Sequence, residues 1–328
     1  MRSGRVLVRA VQLALLALVA WGIYRVLAAE LSRITWADLT RWRPAVLPLA
    51  ASFLLLVGVY LAHALLWRHI VRDLQLGDLT FRETVRVYFT ASLGRYVPGK
   101  VWQLAGMAVL AGRAGLPPLA ATAAAILGQI AFLATGMLFL ALSLPGWRGQ
   151  VGASYAPAVT ALVAGLVIGG ALLWLLAATP IGHGVRERLL ARAAPGTQEK
   201  LRSAFTLADR IRPRNAGVWA AAYFATWLAL GAAFALFVFS FVPAADGSAR
   251  YLAGTIAGSY LLGYVVPLPA GIGAREGVMF VLLQPAVPEA GAALVISVLS
   301  RVWFTAAELL PLAVVPAVSA RGPKEDQN

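Results

Sequence analysis

The chain contains no cysteine, only three histidines, and 14 acidic against 28 basic residues in a length of 328. Without cysteine there are no disulfides, thiolate metal sites or thiol nucleophiles. His63 and His69 stand six apart on a helix, His183 sits in a loop, and no acidic cluster joins them. That spacing does not suit a shared metal, so no metal or other cofactor is expected. There is no P-loop, no dinucleotide fingerprint and no Ser/His/Asp grouping. The few carboxylates near the span ends form no catalytic cluster. An integral membrane glycosyl or phosphoryl transferase therefore stands only as an alternative reading.

What the chain has in abundance is apolar surface. Hydrophobic residues make up 60%, charged residues 13%, and the mean hydropathy is +0.76. Several runs reach the roughly 20 residues that cross a hydrocarbon core of about 30 Å. Backbone groups at that depth must be satisfied internally, which restricts such runs to helices. The fold expected is an all-α polytopic membrane bundle in one domain, residues 1–320, with a short polar tail over 321–328. Expected spans are Val8 to Ala28 (a retained helix, not a signal peptide), Ala45 to Trp67, Pro118 to Leu144, Ala156 to Ala178, Gly217 to Val242 and Gly291 to Val318.

The net charge of +14 does not point to nucleic acid, because the cations lie in short segments between apolar runs. The segment 181–215 holds eight arginines and lysines against three acids, and Arg68 to Lys100 is also basic. Both are expected on the cytoplasmic side of the cell membrane, with both termini, where they attract anionic lipid. The loops after Leu144 and Val242 carry few cations and are expected outside. Trp21, Trp36, Trp42, Trp67, Trp102 and Trp147 fall near span ends and read as an interfacial belt.

Two segments between the spans are broken by proline and glycine and carry a cation at the tip. The first is Leu93-Gly94-Arg95-Tyr96-Val97-Pro98-Gly99-Lys100; the second runs from Leu262 through Pro267, Pro269, Gly271 and Gly273 to Arg275-Glu276. Gly94 and Pro98 precede Gly263 and Pro267 by the same number of residues. Charge placement sets the first hairpin entering from the cytoplasm and the second from outside. The expectation is an inverted repeat, residues 45–144 and 217–318, with re-entrant hairpins at a substrate site.

Broken backbone at membrane depth is tolerated against protein or a water-filled cavity. Helix N-termini there favour a phosphate or carboxylate. Candidate headgroup-binding residues are Arg275, Arg301, Arg95 and Lys100. Glu276 and Glu308 are candidates for coupling or ion pairing, and Gly94, Pro98, Gly99, Pro267, Pro269, Gly271 and Gly273 shape the tips. Arg301 and Glu308 lie seven apart, on one helix face. Gln129 and Thr135 read as interhelical glue.

The run Pro267-Leu268-Pro269-Ala270-Gly271-Ile272-Gly273-Ala274-Arg275-Glu276-Gly277, with Gly94 to Lys100 as weaker support, resembles the lysylphosphatidylglycerol synthase transmembrane-domain family. The likeness extends from Ala45 to Val318. That family includes the flippase half of bacterial multiple-peptide-resistance proteins. The resemblance implies movement of a lipid, or of a polyprenyl-linked headgroup, between leaflets by a transporter rather than an enzyme. Arg275 and Glu276 match the family's charged pair, Pro269 and Gly273 its loop; Ala270 departs from a common glycine. Only residues 319–328 follow Val318, so a stand-alone member without the synthase domain is expected. Its partners would be the bilayer and a lipid with an anionic headgroup. A role as a non-catalytic partner of an envelope enzyme is the third reading.

Overall fold

In a computed structural model, residues 43–96, 101–143, 209–243 and 248–315 are described, apart from 266–272 and 288, together with 245 and scattered positions between 164 and 206. The expected spans at Val8 and Ala156, most of the 181–215 segment, His183 and the tip residues Pro98, Gly99, Lys100, Pro267, Pro269 and Gly271 lie outside the described residues.

All the described elements are helical, in the order α1 (Val46–Asp73), α2 (Phe81–Ser92), a short 3-10 turn (Leu93–Tyr96), α3 (Val101–Arg113), α4 (Pro118–Ser143), α5 (Pro213–Phe241), α6 (Ala249–Val265), α7 (Ala274–Leu283) and α8 (Ala290–Val314). Among the described residues, α1, α4, α5 and α8 are the helices long and apolar enough to cross a membrane. The remaining four have 10 to 17 residues, short of a full span. The pattern long, short, short, long thus occurs twice.

α1 continues beyond Trp67 to Asp73 because its last turns are tied to neighbours rather than to lipid. Trp219 Nε1 donates to Asp73 Oδ2 at 2.8 Å, and Arg210 donates to the Leu74 carbonyl at 3.1 Å. Just beyond, Asp78 accepts from Arg72 at 2.7 Å and from Arg68 at 3.1 Å. Those bonds, the Arg72 one foremost, hold its carboxyl below the usual carboxylate range. α2 then begins on Thr80, whose amide donates to Glu83 Oε2 at 2.8 Å while its hydroxyl accepts from the Glu83 amide, a complete capping box.

The centre of the bundle is the pairing of α1 with α5. Ala45 N donates to the Ser240 carbonyl at 2.7 Å, Ser52 Oγ to the Ala233 carbonyl at 2.8 Å, and His63 meets Thr226 at 3.0 Å. Partner numbers fall along α5 as they rise along α1, so the two helices run antiparallel. The other packings come in matched pairs. α1 touches α2 and α8; α5 touches α6 and α4. α2 reaches α8, and α6 reaches α4.

Interhelical contact in lipid rests on close approach and van der Waals packing. Trp227 stacks on Phe132 with centroids 4.5 Å apart and donates to the Phe132 carbonyl at 2.9 Å. It fits because Gly136 has no Cβ; one there would lie 2.4 Å from the ring. Trp67 is a correction to the expected interfacial belt. It is buried and donates to the Ala121 carbonyl at 3.2 Å, locking α1 to α4.

Each hairpin closes on a glycine. A Cβ at Gly94 would fall 2.6 Å from backbone atoms of Trp102 and Gln103 in the returning arm. A Cβ at Gly263 would fall 2.8 Å from Arg275 Cβ, also in the returning arm. The two glycines at matching sequence offsets therefore do the same work, letting each pair of arms close.

Candidate functional site

Both hairpins reach α8 through described residues, Arg95 and Tyr96 from the first and Arg275 and Glu276 from the second. Arg301, Phe304, Thr305 and Glu308 share one face of α8, as a helix requires of residues spaced three and four apart. Glu308 reaches the first hairpin. Its Oε1 lies 3.4 Å from Arg95 Nη2, and its Oε2 accepts from the Tyr96 hydroxyl at 2.8 Å. Arg301, two turns earlier, reaches the second hairpin, with Nε 3.4 Å from Glu276 Oε1.

Glu276 works twice. Its Oε2 accepts the Gly273 amide at 2.7 Å, capping α7 at a residue with φ of 81° that favours glycine. Since glycine has no side chain to reciprocate, this is only the carboxylate half of a capping box. Its Oε1 lies between Arg301 and Arg275, the latter at 3.3 Å. Arg275 is buried, sits over the Phe304 ring with Cζ 4.4 Å from the centroid, and faces Ser300 Oγ at 3.4 Å. Ser300 donates its own proton to the Ser297 carbonyl at 2.7 Å, so its oxygen is left to accept from Arg275.

Pairing here is obligatory. A single charge at the centre of an apolar helix costs about 2.5–3.5 kcal/mol on insertion scales, and five unpaired ones would rival the whole stability of an ordinary domain. Yet the pairing is loose. Contacts of 3.3–3.4 Å exceed the 2.7–2.9 Å of a tight charge-assisted bond. Arg275 Nε is buried with no hydrogen bond. Among the described residues the cluster holds three arginines and two glutamates, a surplus of one positive charge.

Arg95, Arg275, Arg301 and Glu308 of that cluster line a cavity of about 440 Å³. Tyr60, Gln103, Gln129 and Tyr260 extend its polar wall, and Leu104, Ile126, Ile130 and Leu133 form an apolar rim. Leu104, Ile126 and Ile130 are exposed on the outer faces of α3 and α4. The cavity is therefore charged at the back and greasy at the mouth.

The candidates Arg95, Arg275, Arg301, Glu276 and Glu308 are brought together here, with Gly94 and Gly273 shaping the arms beside them. Two other expectations are corrected. Thr135 bonds within its own helix, to the Ala131 carbonyl at 2.8 Å, rather than across to another. Gln129 is not glue: its Nε2 is buried without a hydrogen bond, in the cavity wall. Tyr60, Tyr260, Gln103, Phe304 and Thr305 are not singled out by the sequence. Tyr60 carried a usable signal, since it sits in the middle of an apolar span, away from the interfaces where tyrosine is usual.

No curated protein matches the chain by sequence. Residues 7–307 match the lysylphosphatidylglycerol synthase TM region, a reach that takes in the first apolar run as well as both hairpins, and the chain belongs to that family.

Proposed function

We propose that this protein is a lipid translocase that moves a phosphate-bearing headgroup between leaflets of the cell membrane. The observation that carries the reading is Arg275: a buried guanidinium with an unsatisfied Nε, in a cluster with one surplus positive charge, on the wall of a cavity with an apolar mouth. A buried donor left without a partner calls for an explanation, and a bound anion supplies one. Arginine's planar fork suits phosphate oxygens better than lysine's point charge. The headgroup enters past Leu104, Ile126 and Ile130, and its phosphate settles among Arg275, Arg301 and Arg95. The acyl or prenyl tails remain in the bilayer, which avoids the cost of drawing them through water.

The same reading treats the chain as two inverted units. The antiparallel α1 and α5, the repeated element order and the matched packings all support it, as does the equivalence of Gly94 and Gly263. In this reading the end of the bundle bearing Arg68, Arg72, Arg113, Arg210, Arg212 and Arg214 faces the cytoplasm. Glu308 acts as the latch of the first hairpin. A phosphate or a proton that competes for it frees Arg95 and Tyr96, and the cavity changes the side on which it opens.

The test is reconstitution in vesicles carrying a fluorescent, short-chain anionic phospholipid. The expected result is protein-dependent equalisation of the label between leaflets, read by quenching from outside. A rate equal to that of protein-free vesicles would refute transport.

A further inference from the structure

The cavity does not end at the charged cluster. Past Arg95 and Gln129 it narrows into a chamber of about 60 Å³ between α1, α4 and α5, reaching His63 and Tyr223. Arg95, Gln103, Gln129 and Tyr260 line both spaces, so the chamber is an inward extension of the same site. It has room for a polar group a few heavy atoms long.

Its chemistry is selective. Among the described residues Arg95 is the only charged one in its lining, and no carboxylate lines it. Gln129 offers a buried amide donor that makes no hydrogen bond. His63 offers the complementary group. Thr226 donates its hydroxyl proton to the Tyr223 carbonyl at 2.7 Å. Its oxygen, 3.0 Å from His63 Nε2, therefore accepts from that nitrogen. This assigns a proton to Nε2, and in the singly protonated ring Nδ1 is left as an acceptor. A donor and an acceptor in the lining of one chamber suit a hydroxyl, which is both. An ammonium only donates, and here it would also meet the Arg95 guanidinium.

We propose that the chamber recognises the outer end of the headgroup, and that the preferred lipid carries a short neutral polyol on its phosphate rather than an ammonium. This rests on the transport reading above and deepens it. The test compares two probes of equal net charge in the same reconstituted vesicles: short-chain fluorescent phosphatidylglycerol, with two hydroxyls, and phosphatidylserine, with an ammonium and a carboxylate. The glycerol lipid is expected to move about tenfold faster, the discrimination that one unpaired buried polar group typically gives. Gln129→Leu is expected to shrink that preference to within about threefold at normal protein level and thermal midpoint. Gln129→Glu, isosteric but anionic, is expected to raise the relative rate of the serine lipid. Equal rates for both lipids, a faster serine lipid, or a preference unchanged by either Gln129 substitution would overturn the proposal while leaving transport intact. Movement of neither lipid above the protein-free rate would overturn both.

Discussion

Arg275→Ala is expected to reduce protein-dependent headgroup movement at least about a hundredfold, the largest single loss in the molecule. Removing one partner of a buried charge pair typically costs about 3–5 kcal/mol, because the other partner is left uncompensated. Here Arg301 still faces Glu276, so part of that cost is recovered and the helix cap from Glu276 to Gly273 can persist. What does not recover is the surplus charge. With Arg275 gone, two arginines balance two glutamates, and the described cluster keeps no net positive charge to attract an anion. Arg275→Lys keeps the charge but loses the fork and the stacking over Phe304, so an intermediate rate is expected. Rates are read in vesicles of matched protein content, beside the thermal midpoint of each variant. A full rate from Arg275→Ala at normal midpoint would remove Arg275 from the site.

The second large effect is structural. Gly94→Ala sets a methyl 2.6 Å from the backbone of Trp102 and Gln103, where no side-chain rotation can relieve the clash. The arms of the first hairpin must part, at a cost of about 1–3 kcal/mol, and the thermal midpoint in detergent should fall on the order of 5 °C. Gly263→Ala should behave alike, because its obstacle is Arg275 itself at Cα and Cβ. Gly58→Ala is the control: it lies in α1 with nothing within 4 Å of the added methyl, and its midpoint should hold or rise. A Gly94→Ala midpoint equal to that of Gly58→Ala would contradict the close approach. Both tip glycines should also slow transport, since each positions a hairpin that delivers an arginine to the cavity.

Much of this is legible in the amino-acid sequence alone. Long apolar runs place three of the four described spans to within four residues and end the first one six residues short, because hydrocarbon thickness leaves little freedom in length. The seven-residue spacing of Arg301 and Glu308 announced a shared face. It could not announce that the face would be divided, Arg301 serving one hairpin and Glu308 the other, because only the packing of α8 against α2 and α7 decides that. Trp67 was misread because interfacial and buried tryptophans look alike in sequence; the difference lies in whether a neighbour offers a carbonyl, as Ala121 does. Tyr60, Gln103 and Phe304 escaped because a residue between apolar neighbours shows nothing of the cavity it faces. Gln129 was underrated for the same reason: a glutamine in a span reads identically whether its amide is bonded or bare.

The absence of cysteine makes the decisive measurement simple. Thr305 lines the cavity between Arg301 and Glu308, and among the described residues its only cross-helix bond is a long one of 3.4 Å to the Tyr96 hydroxyl. A single Thr305→Cys variant in vesicles reports on that space with no background thiol. The account predicts that a charged, membrane-impermeant thiol reagent labels Cys at this position despite its mid-bundle depth. Labelling should slow severalfold in vesicles of anionic phospholipid relative to neutral lipid with the same tails. A thiol that stays unlabelled, or labelling indifferent to the headgroup, would contradict a hydrated cavity that takes the phosphate of a lipid.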